Sequence, residues 1–202
     1  EPRAQKVTKE NEERYQWLVT SRDADKREES DPNDDPSTLY IPSSAWAQFT
    51  AFEKQYWEIK SKMWDCIVFF KKGKFYELYE KDAFIAHNEF DLKIAGGGRA
   101  NMQLAGIPEM SFDYWATSFI SKGYKVAKVD QIETGLAKEI REANGPAKGK
   151  KEVIQRELKT VLTAGTLTDE AMLIDDMATY CVAVKEETDP EEPSGKVFGV
   201  SF

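Results

Sequence analysis

The sequence predicts an α+β fold, a small mixed β-sheet flanked by helices, and three observations carry that prediction. Trp46, Phe49, Phe52, Tyr56, Ile59 and Met63 recur at spacings of three and four, the period of a helix with one buried face. Residues 65–70 and 74–79 are apolar and aromatic runs around Lys71-Lys72-Gly73, a strand pair whose glycine supplies the permissive backbone of the turn. Phe112, Trp115, Ala116, Phe119 and Ile120 repeat the helical period, and Tyr124, Val126 and Val129 then mark a strand over 124–132.

The remaining elements follow in chain order. Residues 1–38 are polar, with charge runs such as Asp23-Ala24-Asp25-Lys26-Arg27-Glu28-Glu29. They are expected to form a largely irregular arm, tacked down only through Tyr15, Trp17, Leu18 and Val19. Pro42-Ser43-Ser44 opens the first helix with a hydroxyl cap. A second helix runs from about Asp82 to Phe90, followed by a flexible loop at Ala95-Gly96-Gly97-Gly98-Arg99 and a short strand at 102–107. Ser111 is expected to cap the next helix, with Met110 and Trp115 as a hydrophobic staple across its start and Gly123 ending it. A short helix at 136–143 and a basic loop at 144–151 lead to a returning strand at 153–163. A linker, a short helix near 169–175 and a last strand pair at 178–185 and 196–202, around an acidic loop at 186–193, complete the chain.

With 202 residues the chain can hold one ordinary domain and part of another, and 41% hydrophobic residues suffice for a core. The formal charge of −8 argues at first against nucleic acid, so its distribution decides the question. Residues 39–160 hold 19 Lys+Arg against 16 Asp+Glu; of the totals 28 and 36 this leaves 9 and 20 for the flanks. The acid therefore lies outside the central segment, whose balance of +3 is still too modest for strong sequence-independent DNA binding. Cys66 and Cys181 sit in apolar strand-like runs and read as buried free thiols of a reducing compartment. No apolar run reaches the ~18–20 residues of a membrane span, and no signal peptide is evident. The start without Met and the end inside a strand-like pattern suggest a fragment of something longer.

The segment that carries chemistry is Gly73-Lys74-Phe75-Tyr76-Glu77-Leu78-Tyr79. On an extended strand Phe75 and Glu77 point to one face. Lys71, Lys72 and Lys74 would attract a phosphate backbone while the Phe75 ring entered a base stack. The Glu77 carboxylate would repel DNA unless it met a specific polar group. Catalytic constellations are missing. His87 stands within a helical pattern without partners at metal-ligand spacing, and Gly145-Pro146-Ala147-Lys148-Gly149-Lys150 lacks the spacing of a phosphate loop.

The pair Phe75 and Glu77 resembles the Phe-x-Glu mismatch reader of the MutS family of DNA mismatch-repair proteins. Tyr124-Lys125-Val126-Ala127-Lys128-Val129-Asp130-Gln131-Ile132-Glu133 is similar to the strand and turn that close that family's mismatch-binding domain. Gln103-Leu104-Ala105-Gly106-Ile107-Pro108-Glu109 resembles the segment before its second main helix. Arg14-Tyr15-Gln16-Trp17-Leu18 and Asp35-Pro36-Ser37-Thr38-Leu39-Tyr40-Ile41-Pro42 are similar to the lead-in of the eukaryotic MutS homolog six type, the mismatch-contacting subunit of a heterodimer.

The resemblance implies an arm at 1–38, a mismatch-binding domain at 39–165, and at 166–202 a linker with the first hairpin of a connector domain. It implies that Phe75 stacks on a mispaired base and Glu77 hydrogen-bonds to it, with Lys74, Lys72, Tyr76, Arg99 and Asn101 as candidate DNA contacts. Lys74, beside the reader, is the favoured backbone contact, and such contacts position without specifying sequence. Desolvation and neighbouring phosphates would favour a neutral Glu77 on DNA, able to donate to a base nitrogen. The implied partners are mismatched duplex DNA and MutS homolog two, in the nucleus and away from membranes. ATP and Mg are implied only for a longer parent, with no cofactor and no catalytic residue in these 202 residues. The alternative is a protein-interaction module that inherits the fold without reading mispairs.

Overall fold

The protein is described from a computed structural model covering residues 14–95, 102–144, 153–167, 172, 182–188 and 195–201. Its main sheet has six strands in the order β3-β4-β2-β1-β5-β6. These are β1 (Cys66–Lys72), β2 (Phe75–Tyr79), β3 (Ile94–Ala95), β4 (Leu104–Pro108), β5 (Lys125–Gln131) and β6 (Arg156–Leu162). β1 runs parallel to β5 and every other pairing is antiparallel, so the sheet is mixed. A separate two-stranded sheet pairs β7 (Ala183–Thr188) with β8 (Lys196–Ser201).

Helices cover both faces of the main sheet. The predicted first helix is two, α1 (Ser43–Gln48) and α2 (Ala51–Lys60), separated by extended backbone at Phe49 and Thr50. Thr50 explains the break: its hydroxyl accepts from the Glu53 amide at 3.3 Å, and Glu53 Oε2 accepts from the Thr50 amide at 2.7 Å. This reciprocal box starts a new helix where the apolar period alone reads through. The expected hydroxyl cap on α1 is absent, because Pro42 occupies the cap position.

Together with the arm, α1 and α2 cover Cys66, Val68 and Phe70 of β1, Tyr79 of β2 and Ala127 and Val129 of β5. Beneath the other face, α3 (Lys81–Phe90) and α4 (Phe112–Ser121) pack on Ile67, Phe69, Tyr76, Leu78, Ala105, Ile107 and Val126. α4 lacks the expected side-chain cap from Ser111, and Met110 is 91% exposed, so no staple forms with Trp115. Gly123 takes φ +90 after α4, a conformation that favours glycine. α5 (Gly135–Asn144) follows β5. The glycine loop at 96–101, the basic loop at 145–152, Cys181 and most of the expected helix near 169–175 fall outside the described residues.

The described part of the arm is anchored by charge as well as by rings. Tyr15 is buried, and its hydroxyl donates to Glu53 at 3.0 Å, while Arg14 reaches the other oxygen of the same carboxylate at 2.9 Å. Trp17 and Leu18 pack beside Tyr15, but Val19 is 84% exposed and anchors nothing. Cys66 is a free buried thiol, and burial pushes its pKa up to about 12. It packs in the core beneath α1 and α2.

At the far end of β1, Lys60 and Asp82 form a buried ion pair at 2.8 Å. Lys60 also donates to the Cys66 carbonyl at 2.7 Å, and Asp82 accepts the Val68 amide at 2.9 Å. The pair thereby fastens α2 and α3 to the same strand. Lys60→Met would leave the buried Asp82 carboxyl group without its partner and should cost about 3–5 kcal/mol. Urea unfolding should show Lys60→Met/Asp82→Asn to be less damaged than the single variant, since asparagine still accepts from Val68.

Candidate nucleic-acid interface

The site lies on the β1–β2 hairpin. Gly73 makes the turn at φ +62, and its amide donates to the Gln131 side chain at 2.7 Å, tying the hairpin tip to the end of β5. Phe75 pairs with Lys72 on one side and Pro108 on the other, while Glu77 pairs with Phe70 and Gly106. The strand is therefore held along both edges, and its alternation is fixed. Tyr76 and Leu78 enter the α3–α4 layer; Tyr79 enters the opposite layer, the face shared by Phe75 and Glu77.

Phe75 nevertheless remains 51% exposed, because the covering aromatics end at Tyr79 and Phe70. Phe52 of α2 meets both of those rings edge-on, at 5.9 and 5.5 Å between centroids. Lys74 is exposed and has no polar side-chain partner among the described residues. The Lys74 carbonyl accepts the Glu109 amide at 2.9 Å, which fixes the backbone beside the ring.

Glu77 is held. Its Oε2 accepts Lys72 Nζ at 3.0 Å and the Tyr79 hydroxyl. Lys72 itself lies 5.6 Å from the centre of the Phe52 ring. Arg156 of β6 spans Phe52 and Phe70 and gives its donors to Lys71 O, Ile154 O and Gln55 Oε1. It adds positive charge facing Glu77 and Tyr79, although burial lowers its own pKa from the ordinary arginine value. A cleft of about 430 Å³ opens beside Phe52, Lys72 and Arg156.

The structure thus brings together Phe75, Glu77, Lys74 and Lys72 from the sequence-predicted set, and it removes one member. Tyr76 is only 2% exposed; its ring packs against Phe112 on the other face and its hydroxyl donates to Asp130 at 2.5 Å. Its side chain is a core anchor of the hairpin and no part of the exposed face. Arg99 and Asn101 lie outside the described residues. Sequence reasoning misses Tyr79, Phe52 and Arg156. Tyr79 is within its reach, since it continues the period-two series of Phe75 and Glu77. Arg156 carries no local signal, because only the β5–β6 pairing brings it to the hairpin. His87, expected to be structural, has its Nδ1 2.9 Å from the Leu92 carbonyl at the end of α3.

Just beyond the end of β2, Glu80 adopts φ +47, a left-handed value that costs a non-glycine residue energy. Its amide donates to the Gln103 carbonyl at 2.9 Å and its Oε1 accepts the Gln103 amide at 2.9 Å, tying β2 to the start of β4. Burial pushes the Glu80 pKa up to about 7, Glu53 adds to the rise, and the Gln103 amide opposes it.

Among known proteins, the MutS domain I family matches residues 50–171. DNA mismatch repair protein MSH6 of Saccharomyces cerevisiae is 62% identical over 99% of this chain and 17% of its own length. MSH7 of Arabidopsis thaliana is 36% identical over 94% of the chain and 16% of its own length. Msh6 of Homo sapiens is 34% identical over 94% of the chain and 14% of its own length. The chain therefore spans less than a fifth of these relatives.

A raised carboxyl pKa means that the folded state holds the proton more tightly than the unfolded state does. Glu80 stability is accordingly present at low pH and lost as pH rises from about 4.5 through about 7. The loss is on the order of 2–4 kcal/mol. Glu80→Gln, which keeps the acceptor for Gln103, should flatten this slope in urea unfolding measured from pH 5 to 8.

Proposed function

The chain belongs to the MutS family, and from that premise we propose that it reads base mispairs and small insertion–deletion loops in duplex DNA. In this reading it is the mismatch-contacting part of a MutS-type heterodimer. Residues 39–165 are the mismatch-binding domain, 166–202 a linker and the first hairpin of a connector domain, and 1–38 an arm. The observation that carries the reading is an aromatic ring left half-exposed at a doubly paired hairpin, on the same face as an anchored carboxyl group.

Phe75 enters the duplex beside a mispaired base. Unstacking a base step costs a few kcal/mol, less at a mispair that is already weakly stacked and paired. Stacking on an aromatic ring returns about 1–3 kcal/mol per base. The balance is favourable only where the DNA deforms easily, so one ring senses many different lesions. Glu77 meets the same base and hydrogen-bonds to it. Lys74 contacts the phosphate backbone, and Arg99 and Asn101 are further proposed backbone contacts. Lys72, whose ammonium is turned to Glu77, is a weaker candidate for a phosphate.

The reading brings MutS homolog two as dimer partner and a nuclear location. It also assigns ATP and Mg²⁺ to a distant part of a longer parent. Among the described residues no group of three or more His, Cys, Asp or Glu side chains is placed to hold a metal ion. No described helix is long and apolar enough to cross a membrane.

The test is binding of a G·T-mismatched duplex and its matched twin to the full-length heterodimer, with wild type and Phe75→Ala. Wild type should prefer the mismatch, and Phe75→Ala should lower that preference roughly tenfold or more, keeping weak salt-sensitive binding to both duplexes. Equal binding of both duplexes by both proteins would overturn the reading in favour of an interaction module.

A further inference from the structure

The two oxygens of Glu77 are not equivalent. Oε2 accepts both Lys72 Nζ, at 3.0 Å, and the Tyr79 hydroxyl. Oε1 takes no donor among the described residues, and it is not one of the buried polar atoms left unpaired in the core. With the side chain 15% exposed, Oε1 is the oxygen that solvent or a ligand reaches. The stem is seated as well, since the position of a Cβ on Gly106 lies 3.9 Å from Glu77 Cγ.

We infer that Tyr79 and Lys72 are positioning residues for the reader. They pin Oε2 inward so that Oε1 alone faces the mispaired base. The inference rests on the mismatch-reading function proposed above and reassigns Lys72 from the phosphate backbone to the carboxyl group. Tyr79 is well suited to hold a carboxyl group, because its ring is fully buried against Phe52, Tyr56 and Phe70. Burial and the neighbouring Glu77 push its pKa far above the ordinary tyrosine value, so the hydroxyl stays a donor at every working pH. Lys72 has one end over the Phe52 ring and on Glu77, with its side chain 41% exposed. Arg156 supplies charge nearby, but its Nε and Nη1 donate to Lys71 O, Gln55 Oε1 and Ile154 O, and the donors on Oε2 are Lys72 and Tyr79.

This arrangement fixes where a proton sits. Oε2 already accepts two hydrogens, so a protonated Glu77 carries its proton on Oε1 and donates it outward to the base. An ionised Glu77 offers the same atom as an acceptor. A freely rotating carboxyl group would present either oxygen and lose part of the interaction to disorder.

The experiment uses the full-length chain with its dimer partner, and measures dissociation constants for G·T and matched duplexes at several salt concentrations. Tyr79→Phe and Lys72→Gln are each made in wild-type and Glu77→Ala backgrounds. Each should lower the mismatch-over-matched ratio about three- to tenfold, and Tyr79→Phe should leave matched-duplex affinity and the salt slope unchanged. In the Glu77→Ala background neither should lower the ratio further, because no carboxyl group remains to be held. The inference is overturned if the ratio is unaffected, or if the loss persists in the Glu77→Ala background. It is overturned for Lys72 if Lys72→Gln reduces the salt slope by about one, the mark of a phosphate contact. A wild type that shows no preference for the mismatch would remove the proposed function and this inference together, whereas an intact preference untouched by both variants would remove this inference alone.

Discussion

The period-two alternation of β2, locked between β1 and β4, is the constraint on which the rest of the site depends. Both edges of the strand are hydrogen-bonded, with Glu77 opposite Phe70 on one side and Gly106 on the other. A slip of one residue would send Tyr76 and Leu78 toward the arm and bury Phe75 and Glu77 among the α3 and α4 side chains. The core prevents that slip, since Tyr76 and Leu78 are almost wholly buried where they are. Exposure of the ring and anchoring of the carboxyl group are thus consequences of the same pairing.

Around this strand, polar groups act as fasteners at the two ends of the sheet. Lys60 and Asp82 bind α2 and α3 to the start of β1, while Gln131 and Asp130 hold the hairpin tip through Gly73 and Tyr76. A wedge that displaces a base must resist a load of a few kcal/mol. A hairpin fastened along both edges and at its tip suits the wedge role proposed for Phe75. Lys74 and Glu109, joined through the backbone, extend that support to the next strand.

Much of this is legible in the sequence. Periodicity shows the helices and the central strands, and the two-residue spacing of Phe75 and Glu77 by itself places them on one face of a strand. The first helix reads as continuous when apolar period is weighed and the Thr50-to-Glu53 capping box is not, although that signal is local. Met110 and Ser111 go the other way: the residue types suit a staple and a cap, but the backbone of the preceding 3₁₀ turn carries Met110 into solvent. Tyr76 looks like a DNA contact from its neighbours, yet its parity sends it into the core. The setting of Glu77 is legible only in part: its partners Lys72 and Tyr79 are local, whereas Phe52 and Arg156 come beside those partners through pairing and packing between distant segments.

The acid lies mainly in the flanks, and the hairpin offers Lys74 to solvent beside the ring. The contact proposed for Phe75 is with the mispaired base itself. The most direct measurement is photocrosslinking of the full-length heterodimer to a duplex with 5-iodouracil at the mispaired position, followed by mass-spectrometric mapping. The predicted result is a crosslink on the peptide carrying Phe75, lost in Phe75→Ala and absent when the same base is correctly paired. A crosslink that maps elsewhere, or forms equally on paired and mispaired DNA, would contradict it.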